Sequence, residues 1–260
     1  MKITQISFIY FSPTGTTKGV LALLKNCFDL PVREYDLTDY PETEHNMNFG
    51  SSDLVIFAFP VYSGRVLETF RERIGHIKGN HTLSAIVAAY GNREYDDSLL
   101  EMADISDAAG FLNIGAIAVV TEHSVIRSIG AGRPNEKDRD MILTFGEELL
   151  KRADELIGTE EEVHLKLPGN RPYRRYEHIP LHPLSTSSCN GCLACVKTCP
   201  VEAITYDGQC HTDKKKCVGC MKCIRICPQR ARTNGKIKMM AAETFMKLVC
   251  RSEKQSELFL

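Results

Sequence analysis

Apolar residues in the first 157 positions fall into short unbroken blocks, with amphipathic or polar stretches between them. Blocks at 3–11, 54–59, 83–90 and 115–120 are rich in Ile, Val, Phe and Ala, with 54–59 continuously apolar, and Val32–Tyr35 reads as a short strand between the first two. That pattern predicts strands of a parallel sheet covered on both faces. Stretches at 15–27, 67–74, 96–109 and 136–156 carry helical spacing and charged faces, so helices are expected there. Strand–helix alternation of this kind builds a doubly wound α/β domain, whose ligand sits at the carboxyl ends of the strands.

The pattern changes after residue 157. Positions 158–186 hold Gly158, Pro168, Gly169, Pro172, Pro180 and Pro183 and read as a linker. Within it, 171–176 mixes bases with aromatics; in a chain of balanced charge this suits bracing of two domains better than nucleic-acid binding. A small domain is expected over 187–232. The extension 233–260 follows, with a helix over 241–251 packing across a domain face.

Cysteine usage gives the small domain its chemistry. The chain has eleven cysteines and no tryptophan, and ten of the cysteines fall between Cys189 and Cys250. Eight form two copies of one motif. The first is Cys189-x2-Cys192-x2-Cys195-x3-Cys199-Pro200, and the second is Cys217-x2-Cys220-x2-Cys223-x3-Cys227-Pro228. A shift of 28 residues superimposes them, and also Gly191 on Gly219 and Ala203 on Ala231. A disulfide framework suits exported domains, and the N-terminus has no signal-peptide design. Structural zinc typically takes separated Cys-x2-Cys pairs. Three cysteines at x2 intervals followed by x3-Cys-Pro suit a [4Fe–4S] cubane, with the fourth cysteine ligating the other cluster. Two [4Fe–4S] clusters are therefore expected. Cys189, Cys192, Cys195 and Cys227 would hold the first; Cys217, Cys220, Cys223 and Cys199 would hold the second. Cys27, Cys210 and Cys250 read as small apolar residues.

Three loops carry the chemistry of the larger domain. Ser12-Pro13-Thr14-Gly15-Thr16-Thr17 leads from the first strand into a helix. One Ser or Thr would suffice as an N-cap; four hydroxyls beside a glycine and a helix N-terminus make a phosphate nest. The loop is neither Gly-x-Gly-x-x-Gly nor a P-loop with its Lys, so a monophosphate end such as that of FMN fits better than a dinucleotide or triphosphate. The third and fourth strands end in Pro60-Val61-Tyr62-Ser63-Gly64-Arg65 and Tyr90-Gly91-Asn92-Arg93-Glu94-Tyr95. Tyr62, Tyr90 and Tyr95 can stack on a flat ring, while Asn92 and backbone N–H groups can meet its polar edge.

On these residues, 1–157 resembles a flavodoxin, with 12–17 matching the (Thr/Ser)-x-Thr-Gly-x-Thr signature, and 187 to about 230 resembles a bacterial two-cluster ferredoxin. The combination is similar to the flavodoxin–ferredoxin fusion proteins of anaerobes, which carry loops like 60–65 and 90–93. The resemblance implies a five-stranded sheet of order 2-1-3-4-5, a small α+β cluster domain, and noncovalent FMN.

Between the fifth strand and the last helix, 121–135 is long for such a connection. It is expected to fold over the flavin or dock the cluster domain, with His123 or Arg133 near the ring; a solvated surface loop is the alternative. Charge sharpens the picture. The formal net charge of −1 hides two opposite parts: 19 Lys+Arg against 27 Asp+Glu in 1–186, and 13 against 6 in 187–260. Two clusters with their thiolates would bring the second part to about +3. Opposed signs favour docking of the two domains and attract an acidic external partner, whose reaction rate should fall with salt.

The expected function is electron relay between the clusters and FMN, in the cytoplasm, exchanging with a ferredoxin or a reductase or oxidase subunit. An FMN-dependent reductase of a small organic acceptor is one alternative, and a non-enzymatic redox sensor or assembly protein another. No nicotinamide site, nucleic-acid partner or membrane span is expected. The oligomeric state stays open, a homodimer among the options.

Overall fold

A computed structural model describes residues 2–39, 46–159, 161 and 163–260 of the chain. In chain order the first part runs β1 (Gln5–Tyr10), α1 (Thr16–Leu24), β2 (Val32–Asp36), β3 (Met47–Phe49), β4 (Asp53–Pro60), α2 (Glu68–Ile74), β5 (Ile77–Gly79), β6 (Thr82–Tyr90), α3 (Ser98–Ala108), β7 (Phe111–Val120) and α4 (Glu136–Leu156). The second part adds β8 (Leu184–Ser185), α5 (Ala194–Lys197), β9 (Ile204–Tyr206), β10 (Cys210–Thr212), α6 (Lys222–Arg225), β11 (Arg232–Thr233), α7 (Lys236–Val249) and β12 (Glu257–Phe259).

Five strands pair in parallel in the order β2-β1-β4-β6-β7. Counting these strands alone, the order is 2-1-3-4-5, the flavodoxin-like form of the doubly wound fold. The switch point falls between β1 and β4. β3 and β5 form a separate short parallel pair.

Successive side chains point to opposite faces of a strand, which makes two cores from one sheet. Ile6, Phe8, Leu54 and Ile56 pack with Val20, Leu24, Phe145 and Leu149 beneath α1 and α4. Ile9, Phe11, Phe57 and Phe59 pack with Phe70, Leu99 and Met102 of α2 and α3. Cys27 fills the space over Gly146, where a Cβ would lie 2.6 Å from its Sγ.

The second face is completed from outside the α/β unit. Among the described residues the crossover from β2 to β4 carries no helix. Instead Tyr176 and Ile179 of the linker, and Val218 and Cys220 of the second cysteine motif, pack into that core. The cysteine-rich part is thus a layer of the molecule. Lys222 pairs with Asp39, and Arg73 donates to the Pro200 carbonyl, across the same contact.

Three features add to the expectations here. The sheet has six strands, because β12 adds antiparallel to β7 with Glu257 opposite Ala118. The linker lies along the α/β unit, held by Arg171 on Asp104 and by Asp97 accepting from Asn170 and Arg174, and its last residues form β8 against β11. The last helix begins at Lys236, after Gly235 at φ +81°, and its outer side chains Ile237, Met240, Phe245 and Leu248 are exposed.

Candidate functional site

Residues 12–17 join β1 to α1. Gly15, at φ +85°, is the N-cap of α1 and no side chain caps the helix there. Ser12 Oγ accepts from Lys18 N at 3.0 Å, and Thr14 and Thr16 hydroxyls lie 3.3 Å apart. Thr17 Oγ1 is fully buried and has no partner. A Cβ on Gly15 would meet nothing within 4 Å, so the space before this helix end is open. An unpaired buried hydroxyl, an open approach and the free N–H groups of a first helical turn suit a phosphate monoester.

The two aromatic loops share that sheet edge, and they touch. Gly64, at φ +72°, leaves no room for a Cβ, which would sit 2.0 Å from Asp96 Oδ2. Asp97 N donates to the Gly64 carbonyl at 3.0 Å. Pro60 ends β4, Val61 N donates to Ala89 O at 2.8 Å, and the Ser63 hydroxyl donates to the Glu177 carbonyl of the linker. Arg65 makes a bidentate pair with buried Glu101, both contacts 2.7 Å.

The side chains expected to meet a flavin ring are otherwise engaged. Tyr90 and Tyr95 are buried and pack edge-to-face at 5.3 Å. Their hydroxyls donate to Gln255 O and Glu257 Oε2, each at 3.0 Å. Asn92 donates to Ser252 O at 3.1 Å and accepts from Lys254 N at 2.9 Å. Arg93 pairs with Asp96. A C-terminal strap, 250–257, thus takes the polar groups of the side chains expected to stack on or edge a ring. Tyr62 is buried as well, and its ring lies by the linker and Cys220. Gly91 of this loop abuts His123, whose Cδ2 would be 2.6 Å from a Cβ there.

The 121–135 loop closes on the strap too. Arg133, expected near a flavin ring, is buried in a bidentate pair with Asp138 and reaches Lys254 O at 3.1 Å. Ser256 Oγ donates to Asp138 Oδ1 at 2.6 Å and accepts from Val120 N at 3.0 Å. His123 Nδ1 accepts from Val125 N and Ile126 N, each at 3.1 Å. Burial, and then the Arg93 charge, lower its pKa from 6.5 to about 4.

In the cysteine-rich part the repeat is reproduced in the backbone. Gly191 and Gly219 have φ +71° and +67°, Leu193 and Met221 both φ +61°, and each motif continues into a one-turn helix. Ala203 N and Ala231 N donate to Cys199 and Cys227 Sγ, both at 3.3 Å. Cys189, Cys192, Cys195 and Cys227 line one hollow. Cys199, Cys217 and Cys223 act electrostatically on Cys220; burial first, then these thiols, push its pKa up to about 12. Cys189, Cys195, Cys199 and Cys223, from both motifs, also pack around Cys210 and Ile204. Among the described residues no three His, Cys, Asp or Glu side chains close on a single-ion site; Cys189, Cys192, Cys195 and Cys227 surround a hollow instead.

The hollow is also lined by Cys210, read from the sequence as a small apolar residue, and by Arg232, which the sequence did not single out. Cys210 is buried beside Cys189 and Cys195, and burial and these neighbours push its pKa up to about 12. Its alternation with exposed His211 along β10 was the available signal.

Residues 188–231 match the family described as 4Fe-4S dicluster domain. No curated protein matches the chain. Among solved structures, the chain is similar to a flavodoxin of Streptococcus pneumoniae TIGR4, at 17% identity and TM-score 0.42 over 57% of this chain and 99% of that one. It is similar to oxidised flavodoxin 1 of Bacillus cereus, at 16% identity and TM-score 0.43 over 56% and 97%. A flavodoxin of Fusobacterium nucleatum bound to flavin mononucleotide gives 13% and 0.40 over 59% and 98%.

Proposed function

We propose that this chain is an electron carrier joining two [4Fe–4S] clusters to a bound FMN, and that it exchanges electrons with a separate redox protein. One observation carries the reading: Cys220, of the second cysteine motif, is buried in the same core as Tyr62, in the loop that ends β4. The cluster motif therefore meets the α/β unit at the sheet edge that also bears the phosphate loop. A flavin there accepts one or two electrons and so links one-electron carriers to a two-electron acceptor.

The chain's own residues have binding and positioning work in this scheme. Thr14, Thr16 and Thr17 hydroxyls and the N–H groups at the start of α1 would hold the phosphate. Loops 60–65 and 90–96 flank the place of the ring, and the linker and C-terminal strap hold those loops still. Eight thiolates would hold the clusters in the sets given above, and amide N–H groups at Ala203 and Ala231 donate to Cys199 and Cys227. Hydrogen bonds of this kind stabilise added negative charge and raise a cluster potential. No side chain is required as a nucleophile or general base.

Anaerobic purification with iron, sulfide and flavin analysis, followed by stepwise redox titration, tests the proposal. About eight irons and about one FMN per chain are expected. Four or fewer irons in intact protein would remove the two-cluster assignment, and absence of flavin would remove the relay. Turnover of a small organic oxidant without any protein partner would favour a reductase.

A further inference from the structure

Arg232 is 3% exposed, yet none of its partners is charged. Its Nη1 donates to Ser185 Oγ at 2.9 Å and to Cys210 O at 3.1 Å; its Nη2 donates to Pro183 O at 2.7 Å and to the Thr212 hydroxyl. Its Nε is buried with no partner at all. The other well-buried guanidinium, Arg133, pairs with the carboxylate of Asp138, and half-buried Arg65 pairs with Glu101. A buried cation without a counter-charge loses its hydration and gains no Coulombic partner in return. Something must offset that cost.

The groups facing Arg232 are cysteines of both sets. It lines the hollow of Cys189, Cys192, Cys195 and Cys227. It also acts electrostatically on Cys223 and Cys217 of the other set, and Asp213 opposes it at Cys217. A [4Fe–4S] core with four thiolates is a dianion when oxidised and gains one further negative charge on reduction. Two such groups near one guanidinium would supply the missing charge.

We propose that Arg232 is the buried counter-ion shared by both clusters, lying between them and holding both reduction potentials up. The inference rests on the two-cluster reading. Reduction adds one electron from a one-electron donor and moves no proton or bond, so a fixed positive charge favours the reduced state directly. The fork geometry also suits Arg, since its separate N–H groups hold it in place by tying β11 to Ser185 of β8 and to Cys210 and Thr212 of β10.

The test is an anaerobic redox titration of purified full-length holoprotein, with dithionite as reductant and electron paramagnetic resonance as readout. It compares wild type, Arg232→Met and Arg232→Lys after iron and sulfide analysis of each. In Arg232→Met both midpoint potentials are expected to move negative by a tenfold or larger change in the redox equilibrium, which is about 59 mV for one electron. Arg232→Lys should stay within that limit. If the Met variant loses its iron while the Lys variant keeps iron and potentials, the charge is what the clusters need. Unmoved potentials in an iron-replete Met variant would overturn the proposal, as would equal shifts or equal iron loss in both variants. Four or fewer irons in intact wild type would instead break the two-cluster reading.

Discussion

The ring of Tyr62 and the thiol of Cys220 are buried in one core, although 158 positions separate them in the chain. The Tyr62 hydroxyl has no partner there. An unpaired buried hydroxyl is a cost, and its removal with the ring retained relieves it. Tyr62→Phe should therefore match or exceed wild-type stability, by on the order of 1 kcal/mol. Tyr62→Ala should lose about 3–5 kcal/mol by leaving a cavity where the two parts meet. Chemical denaturation of the holoprotein under anaerobic conditions reads both. A clear loss in the Phe variant would mean that the hydroxyl has a partner in the loaded protein, and the sulfur of Cys220 is the group beside it.

Thr17 offers a clean separation of folding from binding. Its hydroxyl is buried and unpaired at the start of α1, so a near-isosteric Thr17→Val should leave the fold intact. A lost hydrogen bond to a charged phosphate costs about 1.5–3 kcal/mol, a weakening of flavin binding of tenfold or more. Fluorescence titration of flavin-stripped protein with FMN measures this. Unchanged affinity would remove the phosphate role of Thr17.

What the sequence made legible was local. The bounds of α4 agree with the reading at 136–156 because its signals lie within one stretch: the Asn135 and Asp138 capping box, then Ile142, Phe145, Leu149 and Ala153 at helical spacing. The cysteine motifs were legible for the same reason, since the turn at each Gly-x-Leu/Met step is built from adjacent residues. The strap was not legible. β12 is three residues long and has too few positions to show alternation, and Ser256 meets Val120 from 136 positions away. Tyr90, Asn92 and Tyr95 are residue types that suit a ring, but their actual partners come from that distant strap. Arg133 is a different case, because Asp138 stood five residues along and a buried pair was within reach of the sequence.

Arg133 ties the strap to the sheet, so its loss should free the chain end. Removing one partner of a buried pair typically costs about 3–5 kcal/mol, and Arg133→Met should lose stability on that scale. Limited proteolysis at neutral pH should then cut within 250–256, where wild type resists. Acid should do the same to wild type. Burial alone would raise the Asp138 carboxyl, but hydrogen bonds from Arg133, Ser256 and Asn135 outweigh it and hold the pKa below 3.8. A carboxyl depressed by folding contributes stability above its unfolded pKa and loses it as pH falls through the folded one. The strap should therefore stay closed at pH 5 and open below about 3.8; opening already at pH 5 would sink this account.

His123 gives the milder acid response. Its pKa falls from 6.5 to about 4 because burial, with Arg93 nearby, disfavours the imidazolium. The unfolded chain therefore binds this proton first as pH drops. Stability from the neutral ring is complete above pH 6.5, declines between 6.5 and about 4, and totals on the order of 3 kcal/mol. The neutral ring is needed because Nδ1 accepts from Val125 N and Ile126 N, which a proton on that nitrogen would prevent. Asparagine can present a carbonyl oxygen to the same two amides without titrating. In denaturant melts from pH 7.5 to 4.5, His123→Asn should flatten the wild-type decline while retaining most of the pH 7.5 stability. An equally steep decline in the variant would assign the acid sensitivity to other groups.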